Sequence, residues 1–224
     1  MEIKKAQFDQ QPSLVEFEGS KIRINFDIEE STVEVSNNDA EEPETRVIYL
    51  AHVVRVEHPL TLEVIKAAVM AEGFDEYKSE EVAAGALLYL AQNGQPVGEP
   101  IELAKQMMTA RINGYDKSTA VNQFTYNGQP MWLDRDLRRE LSDRVERELT
   151  LGNEVLPLNY EGMTINLPLE DAKAMLAALA HYADQCFDKT EEHKAAILAL
   201  EDVEAVLDYD YTDGYPTKPS FPTE

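Results

Sequence analysis

Lys21-Ile22-Arg23-Ile24-Asn25-Phe26-Asp27-Ile28 alternates without a break, and that alternation places a sheet near the start of the chain. Ile22, Ile24, Phe26 and Ile28 fall on one side, and Lys21, Arg23, Asn25 and Asp27 on the other. A period of two is the mark of a half-buried strand. Upstream, Ser13 to Phe17 reads as its hairpin partner across the turn Glu18-Gly19-Ser20. Downstream, Thr32 to Val35 reads as a short third strand, and Ser36 to Thr45 as a polar, acidic loop interrupted by Pro43. Arg46 to Glu57 is rich in β-branched residues with apolar side chains on both faces, the pattern of a central strand.

Past Glu57 the period changes. Thr61 is placed to cap a helix, with Glu63 in its first turn and Gly73 as its stop. Ser79 reads as the cap of a second helix, with Glu80 and Glu81 near its positive end and Asn93-Gly94 closing it. Gln92 to Pro100 is rich in turn formers. It is the expected boundary between a strand-rich then helical segment, residues 1–100, and a second domain, residues 107–222. Pro100 opens a third helix whose expected stop is Gly114.

In the C-terminal half, Asp134 is the expected cap of a helix that runs to Leu149 and ends at Gly152. Leu137, Leu141, Val145 and Leu149 form its apolar stripe. Val155 to Leu167 reads as a hairpin around Asn159-Tyr160-Glu161-Gly162, with Pro157 marking an edge. Pro168 opens a helix carrying Met175, Leu176, Leu179, Tyr182, Ala183 and Cys186. Thr190 then caps a shorter helix, and Asp202 one more. The proline-rich tail from Pro216 to Glu224 is expected to be extended. The fold class that results is α+β: a small antiparallel N-terminal sheet followed by helices, then a C-terminal domain of helices plus a β-hairpin.

The chain has 224 residues and is 43% hydrophobic, enough for a real core. Its 43 acidic and 20 basic residues give a net charge of −23. Such a field repels nucleic-acid phosphates and anionic lipid, so neither nucleic acid nor membrane is an expected partner. A basic or mixed protein surface is the electrostatic complement. One cysteine, Cys186, excludes an intrachain disulfide and a multi-cysteine zinc site. Met1 to Gln11 has no apolar core of signal-peptide length, and no apolar run approaches a membrane helix, so cytoplasmic synthesis is expected.

The chemical candidates are thin. His181 and Cys186 lie five apart, roughly 140° around a helix, so they do not form a local nucleophile–base pair. A His193–Cys186 pairing lacks the flanking signatures of a thiol enzyme, and Cys186 reads as a small core residue. Asp208, Asp210, Asp213 and Gly214 resemble a calcium loop but miss its ligand spacing. Carboxylates are too abundant for any pair to stand out as glycosidase catalysts. Phosphate loops and serine elbows are missing. Neither a cofactor, a metal nor a small-molecule substrate is therefore expected. A surface imitating DNA is permitted by the charge, but acids and bases are interspersed as on ordinary solvated helix faces.

Several ordered segments between Met107 and Pro222 carry a resemblance. They are Ile112-Asn113-Gly114-Tyr115-Asp116-Lys117-Ser118, Val121-Asn122-Gln123-Phe124, Asn127-Gly128 and Trp132-Leu133-Asp134 with Arg138 after it. Later come Met175-Leu176, Tyr182-Ala183 with Cys186, Thr190 with His193-Lys194-Ala195-Ala196, and Tyr209-Asp210-Tyr211-Thr212 with Gly214-Tyr215-Pro216 and Lys218. In combination and order these resemble a domain family of unknown function that recurs in tail and tail-fibre-assembly proteins of tailed bacteriophages and related prophages.

The resemblance implies a non-enzymatic virion component, a tail or tail-fibre-base adaptor. The alternative it leaves is an assembly chaperone absent from the particle; the composition adds an acidic DNA mimic or inhibitor as a further one. Implied partners are other phage structural proteins, or copies of the chain as ring or fibre neighbours. The implied location is the host bacterial cytoplasm during assembly, then the virion. Trp132 and Leu133 read as an anchor pinning a helix start to the core. Tyr209, Tyr211, Tyr215 and Phe221, in a stretch stiffened by prolines, are the candidate contact residues. The competing reading is that they cover the domain's own core.

Overall fold

A computed structural model describes residues 4–35, 44–133, 135–160 and 162–221. The chain divides into two compact units, Met1–Arg111 with Ile197–Tyr209, and Ile112–Ala196 with Asp210–Glu224. The architecture is mixed α+β, as the alternation and the later helical periods predict.

The first unit is built on four antiparallel strands: β1 (Ala6–Phe8), β2 (Val15–Glu18), β3 (Lys21–Val35) and β4 (Glu44–Glu57). Their order is β1-β4-β3-β2, which makes β4 a central strand. Ile22, Ile24 and Phe26 of β3 are buried, as are Ile48, Val54 and Val56 of β4. Three expectations change here. Strand β1, which pairs Ala6 with Ala51, is too short to show a period. Thr32–Val35 is no separate strand, because β3 runs on to Val35 in register with β4. The interruption is a register shift between Phe26 and Glu29, where Asp27 takes a positive φ of 49°. That extra residue breaks the alternation and leaves Ile28 half-buried. Most of the expected Ser36–Thr45 loop lies outside the described residues, and Glu44 and Thr45 already belong to β4.

Helix α1 (Leu62–Ala71) is capped by Thr61, whose Oγ1 accepts from the Val64 N–H at 3.3 Å. Helix α2 (Glu76–Gln92) is capped by Asp75 rather than by Ser79. Ser79 is fully buried one turn inside, and its hydroxyl donates to the Asp75 carbonyl at 2.6 Å. Both residue types cap well; the Asp75 carboxylate takes the Lys78 N–H and leaves Ser79 to the helix interior. Helix α3 (Pro100–Lys117) passes through Gly114 and stops at Ser118, which caps the single turn α4 (Thr119–Asn122).

The second unit contains the hairpin of β5 (Gln123–Tyr126) and β6 (Gln129–Trp132), helix α5 (Arg135–Thr150), the hairpin of β7 (Val155–Tyr160) and β8 (Met163–Pro168), and helix α6 (Leu169–Ala199). Asn127 and Gly128, at φ 51° and 73°, turn β5 into β6. The expected cap Asp134 and the hairpin residue Glu161 lie outside the described residues. Leu141, Val145, Leu156, Leu158, Leu167, Leu169, Leu176 and Leu179 share one core with Phe124 and Met131.

The expected break at Thr190 does not occur. Helix α6 continues for 31 residues, and Thr190 is buried within it. Beyond α6, Asp202 caps α7 (Val203–Leu207) in the first unit as its sequence suggests. The tail is more than extended: β9 (Ser220–Phe221) adds a parallel strand to β5.

Candidate functional site

Thr190 explains why α6 is uninterrupted. Its hydroxyl donates to Asp116 Oδ1 at 3.0 Å, and the Tyr215 hydroxyl lies 2.9 Å from the same oxygen. Thr190 has one proton, and the carboxylate takes it, so Tyr215 is the donor in the second bond. The side chain therefore joins the end of α3 to the tail and does not turn back to cap a helix. One turn on, His193 Nε2 lies 2.9 Å from the Asp213 carbonyl. A carbonyl can only accept, which places a proton on Nε2. The His193 ring stacks on Tyr215 at 5.6 Å, and Tyr215 meets Tyr115 edge-on at 5.5 Å.

One turn before Thr190, Cys186 and Tyr182 are buried together with Val121. The Tyr182 hydroxyl donates to the Val121 carbonyl at 2.7 Å. Burial pushes both the Tyr182 phenol and the Cys186 thiol up from their ordinary values. A thiol held protonated is a poor nucleophile. Gly214, at φ 78°, passes so close to Lys189 that a Cβ there would sit 2.5 Å from its Cε. Segments from α3, α4, α6 and the tail thus lock into one hydrogen-bonded and aromatic cluster.

Against this cluster lies a cavity of about 570 Å³. Asp116, Lys117 and Asn122 line it from the cluster side. Helix α5 contributes Arg135, Arg138, Arg139 and Ser142, whose i, i+3, i+4, i+7 spacing puts them on one face. Helix α6 contributes Leu176, Ala180, Ala183, Asp184 and Phe187 along a similar stripe. Trp132, at the end of β6, stands at the rim. The small Ala180 and Ala183 side chains leave the space that larger residues would fill. Two aromatics border it while remaining well exposed, Trp132 at 44% and Phe187 at 57%. The lining holds four cationic side chains and two carboxylates, the reverse of the chain as a whole, with 20 basic and 43 acidic residues.

Two of those cations have partners within the chain, and Lys117 is exposed all the same. Lys117 pairs with Asp116 at 2.9 Å, and Arg138 donates to the Leu179 carbonyl at 3.1 Å. Arg135 and Arg139 are exposed one turn apart at the start of α5.

The four tyrosine and phenylalanine contacts expected from sequence are not one patch. Tyr211 and Tyr215 come together around Tyr115, with Tyr211 edge-on at 5.5 Å. Phe221 packs instead against Phe124 at 6.0 Å, beside the main core. Tyr209 falls in the first unit. All four are half-buried. The anchor before α5 is Leu133, which is buried; Trp132, read from sequence as part of that anchor, faces outward. Arg135, Arg139 and Phe187 had no sequence signal beyond ordinary solvated helix positions. His181 is exposed while Cys186 is buried on the same helix. Asp210 folds into its own turn, accepting from the Thr212 N–H at 2.8 Å and hydroxyl at 2.7 Å. Among the described residues, no three His, Cys, Asp or Glu side chains gather to hold a metal.

Residues 103–213 match the domain family described as Domain of unknown function (DUF4376). The matched span includes every residue lining the cavity and the Asp116–Tyr182–Thr190–His193 cluster. No curated protein and no solved structure matches the chain.

Proposed function

We propose that the chain is a non-enzymatic docking component of a tailed-bacteriophage tail or tail-fibre base. The phage assignment rests on the sequence resemblance over Met107 to Pro222. The observation that supports docking over catalysis is the use made of the quoted motif residues. Asp116, Val121, Tyr182, Thr190 and Tyr215 spend their polar atoms on one another, and Cys186 is held protonated by burial. A polar cluster closed on itself keeps a shape and offers no poised acid, base or nucleophile. Beside it stands an open groove bordered by exposed tryptophan and phenylalanine, residue types suited to protein contact. Mass spectrometry of purified particles tests the reading. A tail component is recovered at fixed copy number; an assembly chaperone is present in the infected cell and missing from the particle.

A further inference from the structure

We infer that the groove between α5 and α6 receives an acidic amphipathic segment of a partner protein. Its apolar side chains would lie over Ala180 and Ala183 between Trp132 and Phe187, and its carboxylates on Arg135 and Arg139. This rests on the docking reading above and names the surface and the chemistry of what docks.

Three features of the groove argue for that occupant. Its lining is mainly apolar, with alanines where α6 could carry larger residues, and its volume of about 570 Å³ suits several side chains rather than one ion. Its rims are aromatic and exposed, so covering them removes apolar surface from water. Tryptophan and arginine side by side are also the residue types that dominate protein-binding hot spots.

The charge pattern selects the sign of the partner. Lys117 is exposed but paired with Asp116, and Arg138 is half-buried on the Leu179 carbonyl, so Arg135 and Arg139 are the exposed cations that α5 presents. Four residues along a helix rise about 6 Å, a spacing that carboxylates one turn apart on a partner helix reproduce. Each guanidinium can take a carboxylate through paired N–H donors. A free multivalent phosphate is disfavoured, because Asp116 and Asp184 share the lining and the chain's −23 field opposes it. A peptide offsets that repulsion by burying apolar area on the groove floor, which phosphate does not. A second copy of the chain would bring acids too, but also another −23 charges of repulsion.

Trp132 is the single tryptophan in the sequence, so selectively excited tryptophan emission of the full chain reports on the groove. The probe is a synthetic helical peptide of about 20 residues, with leucines at the i, i+3, i+4, i+7 spacing and glutamates elsewhere. A control peptide carries lysine at every glutamate position. The glutamate peptide is expected to shift Trp132 emission to the blue, saturably, and to bind about tenfold more weakly when salt rises from roughly 50 to 300 mM. The Arg135→Glu/Arg139→Glu variant should lose about tenfold or more in affinity for it and gain affinity for the lysine peptide. Phe187→Ser should weaken both peptides without changing the preference between them. Because all three positions are exposed, the variants should unfold at the temperature of the parent.

Equal response to the two peptides, or unchanged binding by the double arginine variant, overturns the proposal. Displacement of the peptide by millimolar inorganic phosphate replaces it with a simple anion site. Emission that shifts on concentrating the protein alone, with dimers in sedimentation, replaces it with self-association. Peptide binding by a chain absent from particles would uphold the groove and reject the tail-component role. A chain present in particles with a groove indifferent to both peptides would do the reverse.

Discussion

Tyr182 shows what a single buried hydroxyl does in the second unit. It is 8% exposed and its proton goes to the Val121 carbonyl across a long stretch of chain. Removing the hydroxyl orphans that carbonyl, and an unsatisfied buried acceptor costs about 1–3 kcal/mol. Tyr182→Phe should therefore lower the unfolding free energy by about that amount in urea titration. A loss near zero would mean that water replaces the bond. In the first unit His52 is buried against Phe26 and Phe74, with ring centroids at 5.5 and 4.9 Å. Among the described residues its Nδ1 has no hydrogen-bond partner. Burial pushes its pKa below the ordinary value; Lys5 and Lys78 push the same way, and Asp27 and Glu29 oppose them. The folded state thus prefers the neutral ring. That stability is present above the unfolded pKa of about 6.5 and is lost as pH falls through the lower folded value. Between about pH 7 and pH 5 the urea midpoint should fall, and His52→Gln should flatten that part of the slope. A slope unchanged by the substitution would assign the effect to the carboxylates.

At the scale of elements, the strand and helix periods carry most of the fold and the caps carry less. Ile22, Ile24 and Phe26 face one core because the pleat allows nothing else, and Leu137, Leu141, Val145 and Leu149 do the same for α5. Ser79 and Thr190 are different. Serine and threonine hydroxyls serve equally as caps and as interior donors, and the choice depends on what lies nearby in space. Ser79 finds the Asp75 carbonyl, and Thr190 finds Asp116 and Tyr215, far away in sequence. The groove was illegible for the same reason. Arg135, Arg139 and Phe187 look like solvated positions until α5 and α6 are set side by side. The tail strand β9 leads to a prediction at this scale. Its pairing with β5 includes the Thr125 N–H donating to the Pro219 carbonyl and the Asn127 N–H to that of Phe221. Phe221 also covers Phe124. Removing residues 217–224 should therefore lower the melting temperature of the second unit by several degrees. A truncation that leaves melting unchanged would make the tail a contact segment with no part in the fold.

For the whole molecule, charge and shape point to different tasks. The chain carries a net charge of −23, while the α5–α6 groove gathers exposed cations beside exposed aromatics. A chain that docks through that groove needs Arg135 and Arg139 for its role and not for its fold. The most direct measurement is quantitative mass spectrometry of particles assembled with the parent chain and with the Arg135→Glu/Arg139→Glu variant, both verified as folded in the producing cell. The parent should be present at a constant ratio to the other tail proteins, and the variant should be reduced about tenfold or more. Equal amounts of both in the particle, or no parent chain in it at all, would contradict the account.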